Sequence, residues 1–265
     1  MYYGVFSLLT KHICKFCLVG IRLNMKEATM GFDEIGSSVS KRDLKIYWLV
    51  DSSYSMNGEK IATVNRAIKA CIQPLKDAAE DNPEAKMFVR AMKFSVGAQW
   101  HTNETPIEDF VWYDLDTNGY TDTGAAMKLM ASELSMEKMG NRALPPVIIL
   151  MSDGEATDDY EGGLSELLKQ RWAQKAVRIS IAIGNDANIA QLTKFCSNPQ
   201  ENPPLVADRA SELVVYIKWA SIEVSKSVSH SVINTNTGSN VQLPPLPESQ
   251  VMIGSDDDND GEDIF

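Results

Sequence analysis

Residues 44–55 read LKIYWLVDSSYS. The stretch 44–50 is an apolar-rich run that stops at Asp51. A run this short, with no alternation of polar and apolar residues, predicts a β-strand buried on both faces. Residues 147–151 (VIILM) repeat the pattern and end just before Ser152-Asp153-Gly154. Buried strands of this kind occur in parallel sheets whose two faces are covered by helices.

The intervening segments fit that frame. Residues 58–80 carry Ile61, Val64, Ala67, Ile68, Cys71, Ile72 and Leu75 at steps of three and four, the spacing of one helix face. Pro74 should kink that helix. Residues 87–96 alternate as a strand, and 99–102 and 110–114 read as shorter edge strands. A helix is predicted over 123–138, with helices over 164–175, 189–196 and 210–221. Strands are predicted over 178–183 and 205–207. Strands alternating with helices imply an α/β fold: a doubly wound, mostly parallel central sheet with helices on both faces, a three-layer sandwich. In such sheets, ligands bind beyond the carboxyl ends of the central strands.

The chain has 265 residues and a formal net charge of −11, which suits one large domain with appendages. Residues 43–221 form the predicted domain. Residues 1–42 read as a leader and linker, disordered or a partly misassigned start, with Met25 or Met30 as alternative first residues. Residues 222–265 read as a disordered acidic tail, poor in apolar residues and closing on GSDDDNDGEDIF. An acidic body without a basic stripe argues against nucleic acid and anionic membrane as partners. No apolar run is long enough to span a membrane. The four cysteines show no disulfide spacing, which favours a reducing compartment, the cytoplasm. Cys14-x-x-Cys17 is followed by no second Cys/His pair. Asp256-x-Asp258-x-Asp260-Gly261 starts like an EF-hand loop, but its closing glutamate would fall past Phe265.

Chemistry concentrates at the two buried strand ends. The first delivers Asp51-Ser52-Ser53-Tyr54-Ser55, and the second Ser152-Asp153-Gly154. Gly119-Tyr120-Thr121-Asp122-Thr123-Gly124 adds a third loop at the start of a helix. Taken singly, Asp51 or Asp153 reads as a turn or helix-capping residue. Taken together, two carboxylates and several hydroxyls at one sheet edge suit a hard cation. Glu155, Asp158 and Asp159 read either as a rim that selects partners or as a solvated loop that caps the next helix. Tyr120 reads as a contact ring or as an exposed turn residue. Hydrolytic chemistry finds little support. His12, His101 and His230 lie away from the strand ends. There is no G-x-S-x-G elbow, P-loop or G-x-G-x-x-G. No Lys or Arg clamp for a phosphate is expected beside Asp51 or Asp153.

Asp51-x-Ser53-x-Ser55, Thr121 and Asp153-Gly154 resemble the metal-ion-dependent adhesion site of von Willebrand factor A domains, in the family's order. The resemblance covers residues 44–221. More narrowly, Ser152-Asp153-Gly154-Glu155-Ala156-Thr157-Asp158-Asp159 is similar to the TDGEPTDD segment of bacterial TerY-like proteins linked to tellurium resistance. Ser152 and Ala156 replace the usual Thr and Pro. Tyr120 departs from the small residue that the same proteins carry before the threonine.

The resemblance implies a non-catalytic module binding Mg²⁺, or another divalent cation such as Mn²⁺ or Ca²⁺. Ser53 and Ser55 would ligate directly, Thr121 directly or through water, and Asp51 and Asp153 mostly through waters. The last position would take an Asp or Glu of a protein partner. It further implies a scaffold in a bacterial stress or tellurium-resistance assembly, with a metal-dependent protein phosphatase and a Ser/Thr kinase as partners. The competing reading is a Mg²⁺-dependent phosphohydrolase using Asp51 as nucleophile or Asp153 as metal ligand.

Overall fold

The computed structural model of the chain describes residues 41–184, 187–234 and 243–245, and for 230–234 the backbone alone. The strand expected over 44–50 is β1 (Arg42–Asp51), buried from Leu44 to its end. Leu44, Ile46, Trp48 and Val50 enter one core, and Tyr47 and Leu49 the other. Both faces are covered by apolar groups, so the sequence shows no alternation.

The remaining strands are β2 (Ala85–Ser95), β3 (Gly97–Trp100), β4 (Thr105–Pro106), β5 (Val147–Ser152), β6 (Val177–Ile183) and β7 (Leu205–Ala207). They form one sheet in the order β3-β2-β1-β5-β6-β7, with β4 also on β2. The pairs β1–β2, β1–β5, β5–β6 and β6–β7 are parallel, and β3 and β4 are antiparallel to β2. The mostly parallel architecture is therefore the expected one. Strand β1 is its pivot, with β2 following on one side and β5 on the other. The crevice of such a sheet opens beyond the ends of β1 and β5.

Helices cover both faces: α1 (Glu59–Glu80), α2 (Thr123–Glu133), α3 (Met136–Met139), α4 (Tyr160–Leu168), α5 (Arg171–Lys175), α6 (Ile189–Phe195), α7 (Ala210–Lys218) and α8 (Val224–Asn234). Helix α1 contributes Val64, Ile68, Cys71 and Leu75 to one core, joined by Leu213 and Ile217 of α7. Helices α2 to α6 fill the other through Met127, Met130, Met139, Leu164, Leu167, Trp172 and Phe195. Trp48 anchors the first core: its ring meets Phe110 edge-on at 5.5 Å, and its indole N–H donates to Ser221 Oγ at 3.1 Å. Truncating so large a buried ring to alanine costs about 3–5 kcal/mol. No helix among the described residues is long and apolar enough to cross a membrane.

Several elements differ from the sequence expectations. Residues 110–114 are not a strand. Phe110 and Trp112 are buried, and a side chain anchors the segment through the Trp112 ring and at its end. Asn65 Oδ1 accepts from the Leu115 amide and the Trp112 indole, while Asn65 Nδ2 donates to the Leu115 carbonyl. Helix α2 stops at Glu133 because Ser135 caps the new turn α3, its Oγ accepting from the Lys138 amide. Residues 164–175 break into α4 and α5, and α4 starts four residues early because Asp159 caps it. The last helix does not end at Ser221. It passes through a π turn (Trp219–Glu223) into α8, where Val224 and Val228 join the core beside β1. Part of the expected tail is therefore helix. Helix α1 continues through Pro74, which withholds one hydrogen bond. Residues 1–40, 235–242 and 246–265, with Cys14, Cys17, the EF-hand-like start and Ile264-Phe265, lie outside the described residues.

Candidate metal centre

Strands β1 and β5 are neighbours in parallel register, so their last residues arrive side by side. Asp51 ends β1, and Asp153 follows the end of β5. Both are buried, as are Ser53 and Thr121, whereas Ser55 is exposed. Each oxygen of Asp51 is engaged: Oδ1 accepts from the Ser53 amide at 2.8 Å, and Oδ2 from Ser152 Oγ at 2.6 Å. Burial pushes its carboxyl up from 3.8 to about 6. The bonds from Ser152 and Ser53 offset that only in part, and the Asp153 charge adds to the rise.

The serines link the two aspartates. Ser55 Oγ donates to Asp153 Oδ1 at 2.8 Å and lies 2.9 Å from Ser53 Oγ, a contact that either hydroxyl can donate. The Ser53 side chain also bonds the Asp51 carboxyl. The third loop is tied to the segment after β1 and to the end of β2. Asn118 donates its amide to the Ser52 carbonyl (2.8 Å), Tyr54 to Gly119 (3.1 Å), and Asp122 to Ser95 (3.0 Å). A Cβ on Gly154 would lie 3.7 Å from both Ser55 Oγ and Thr121 Oγ1, so both hydroxyls border the space beside that glycine. The structure thus brings together Asp51, Ser53, Ser55, Thr121 and Asp153.

The donor set can be tested against a hard cation by its spacing. Adjacent ligands of an octahedral ion at 2.0–2.1 Å are about 2.8–3.0 Å apart. Ser53 Oγ to Ser55 Oγ and Ser55 Oγ to Asp153 Oδ1 match two such edges. Three hydroxyls and two carboxylates are also the oxygen chemistry such ions favour.

One expectation is overturned here. A cationic group does stand at the site: Lys60 Nζ lies 2.8 Å from Asp153 Oδ2, with the Asp153 side chain wholly buried. Lys60 is nine residues from Asp51, but the turn through Gly58, at φ +81°, starts α1 back beside the strand ends. Only glycine takes that backbone angle cheaply. Ser152, Thr157 and Asp158 were also not foreseen in their roles. Asp158 caps α2 rather than the following helix, accepting from the amides of Gly124 (2.8 Å) and Ala125 (2.7 Å). Asp159 caps α4 through the Gly162 amide. Both acids are therefore bound to helix N-termini. Around the site, Tyr54, Val96 and Tyr120 are each about 70% exposed, and Val96 packs on Gly119.

Residues 45–215 match the sequence profile of the von Willebrand factor type A domain. Among solved structures, the chain is similar to the pilus adhesin SpaC from Lactobacillus rhamnosus GG, with TM-score 0.57, 13% identity, and 71% of this chain and 31% of that one covered. It is also similar to a von Willebrand factor type A protein from Catenulispora acidiphila, with TM-score 0.52, 15% identity, and 69% and 42% covered. A third is proximal thread matrix protein 1 from the mussel byssus, in a form described as having a zinc-occupied MIDAS motif. There the TM-score is 0.50 with 20% identity, and 69% and 48% are covered. The chain thus spans less than half the length of each of these structures. No curated protein sequence matches it.

Proposed function

Because the chain belongs to the von Willebrand factor type A domain family, we propose that it is a metal-dependent binding module. Ser53, Ser55 and Thr121 offer hydroxyl ligands to a divalent cation, Mg²⁺ or alternatively Mn²⁺ or Ca²⁺. Asp51 and Asp153 hold the surrounding hydrogen bonds and supply negative charge. The spacing of Ser53 Oγ, Ser55 Oγ and Asp153 Oδ1 carries this reading. When bound, the ion supplies Lewis-acid attraction for a carboxylate oxygen. The partner is a protein that presents an Asp or Glu to that face, with Tyr54, Val96 and Tyr120 as an apolar rim around it. The zinc-occupied MIDAS form of the mussel protein supports divalent binding, and the adhesin supports protein recognition.

The stretch from Ser152 to Asp159 favours a TerY-like role. The module would be a scaffold in a bacterial stress or tellurium-resistance assembly, with a metal-dependent phosphatase and a Ser/Thr kinase as partners. Cys71 and Cys196 are buried free thiols, which fits the cytoplasm. A phosphohydrolase using Asp51 as nucleophile is disfavoured. That carboxylate is fully buried with both oxygens occupied, so it has no approach to a phosphorus atom.

The test has two parts. MgCl₂ or MnCl₂ should raise the melting temperature of the wild type and not of a Ser53→Ala/Ser55→Ala variant, since a ligand that binds only the native state stabilises it. Affinity capture of candidate partners in Mg²⁺ should be lost in EDTA. Capture unchanged in EDTA, or metal-induced stabilisation retained by the double variant, would remove this reading.

A further inference from the structure

Lys60 is the one cation found against the proposed ligands among the described residues, and its placement is built in. Its Nζ lies 2.8 Å from Asp153 Oδ2, and its own side chain is only 14% exposed. The other oxygen of Asp153 is taken by Ser55. The backbone that carries Lys60 is fixed by the buried Met56 and the Gly58 turn. We infer that Lys60 sets the charge of the metal centre, weakening its hold on the ion and leaving the loaded site with one net positive charge.

Charge balance at the centre assigns Lys60 this role, given the metal reading above. Asp51 and Asp153 contribute two negative charges and the hydroxyls none. Of the further acids in the loop, Asp158 and Asp159 are directed at helix N-termini, and Glu155 is exposed, where water and salt screen its charge. With Lys60 the centre carries a single negative charge. A divalent ion takes it to a single positive charge, and one carboxylate from a partner makes it neutral. Without Lys60 the ion alone would neutralise the two aspartates. A partner carboxylate would then bring uncompensated negative charge into a largely buried place, which is costly. Lys60 therefore trades affinity for the cation against affinity for the anion. It is a positioning and charge-setting residue whose chemical partner class is a single carboxylate.

The probes are MnCl₂ and sodium acetate, titrated by calorimetry into the folded full chain. Lys60→Gln keeps a hydrogen-bond donor for Asp153 but removes the charge. It should bind Mn²⁺ roughly tenfold more tightly than the wild type. In the wild type, saturating acetate should raise the apparent Mn²⁺ affinity, as linkage requires when two ligands bind cooperatively. In Lys60→Gln that enhancement should vanish. Lys60→Arg should behave like the wild type. Should Lys60→Gln fail to fold, Lys60→Met provides the same comparison. Equal or weaker Mn²⁺ binding in the uncharged variant would overturn the inference while leaving the metal site standing. Absence of Mn²⁺ binding in both wild type and variant would overturn the metal reading and this inference with it.

Discussion

Thr157 grips Thr121 from two directions: its amide donates to the Thr121 carbonyl at 2.9 Å, and its Oγ1 accepts from the Thr121 amide at 3.0 Å. The same Oγ1 donates to Asp122 Oδ1 at 3.1 Å. The loop after β5 thus holds the loop that presents the threonine hydroxyl. Thr157→Val keeps the shape and loses the hydroxyl, leaving the Thr121 amide without that acceptor. We expect a stability loss of about 1–3 kcal/mol and weaker Mn²⁺ binding, read by urea unfolding and calorimetry. Thr157→Ser should restore both. A valine variant with unchanged metal affinity would show that Thr121 is held by other means or is not a ligand.

Asp51 opposes the stability of the fold it serves. Its carboxyl is raised to about 6 by burial, so the protonated form is the one the metal-free fold prefers. The contribution of this group is therefore favourable at pH below 3.8 and is lost as pH rises through about 6. A rise from 3.8 to about 6 corresponds to on the order of 3 kcal/mol. Asp51→Asn should accordingly raise the melting temperature in EDTA at pH 7.5 and lose most of that advantage near pH 4. It should also abolish stabilisation by Mg²⁺. Melting curves over pH 4–8, with and without the ion, check all three, and an Asn variant less stable than wild type at pH 7.5 in EDTA would contradict the sign.

The sheet was legible because β1 and β5 are buried on both faces, and that burial leaves an apolar run in the sequence. Two of the three candidate site loops follow those runs, so the parallel-sheet rule pointed to the edge where their residues meet. What escaped was what depends on backbone turns and through-space contacts. Lys60 reaches Asp153 only because Gly58 adopts a positive φ. Asp158 caps a helix that begins 35 residues earlier in the chain. Residues 110–114 look strand-like in sequence, but no strand pairs with them among the described residues, and Asn65 anchors the Trp112 indole and the Leu115 backbone instead. The continuation of the last helix through 234 was missed because the serine-rich stretch 225–231 carries few apolar residues. Val224 and Val228 nevertheless sit four apart and suffice to dock it.

Tyr54, Val96 and Tyr120 are exposed beside the site although each is largely apolar. Large exposed aromatics at a polar centre gain contact area on binding at low entropic cost. Tyr120→Ser should weaken partner binding by about 1–2 kcal/mol while leaving Mn²⁺ affinity unchanged. Surface plasmon resonance with an identified partner, paired with calorimetry, separates the two. A loss of metal affinity in this variant would mean that the ring supports the site rather than the partner.

Gly124 and Gly163 let α2 and α4 touch backbone to backbone at the metal edge. A Cβ on Gly163 would lie 2.6 Å from Gly124 Cα, and one on Gly124 would collide with the Asp159 carbonyl. Alanine is the better helix former by roughly 1 kcal/mol, so an unstrained site would gain from Gly163→Ala. Here the obstacle is backbone, which cannot rotate away, and the helices must separate. We expect a net loss of about 1–3 kcal/mol. Because Thr121 precedes α2 and Asp153 lies on the loop that leads into α4, separation should also pull these two residues apart and weaken Mn²⁺ binding. Urea unfolding and calorimetry on Gly163→Ala measure the two effects together. Unchanged stability would show slack between the helices. Lost stability with intact metal affinity would show that the strut from Thr157 to Thr121 holds the site by itself.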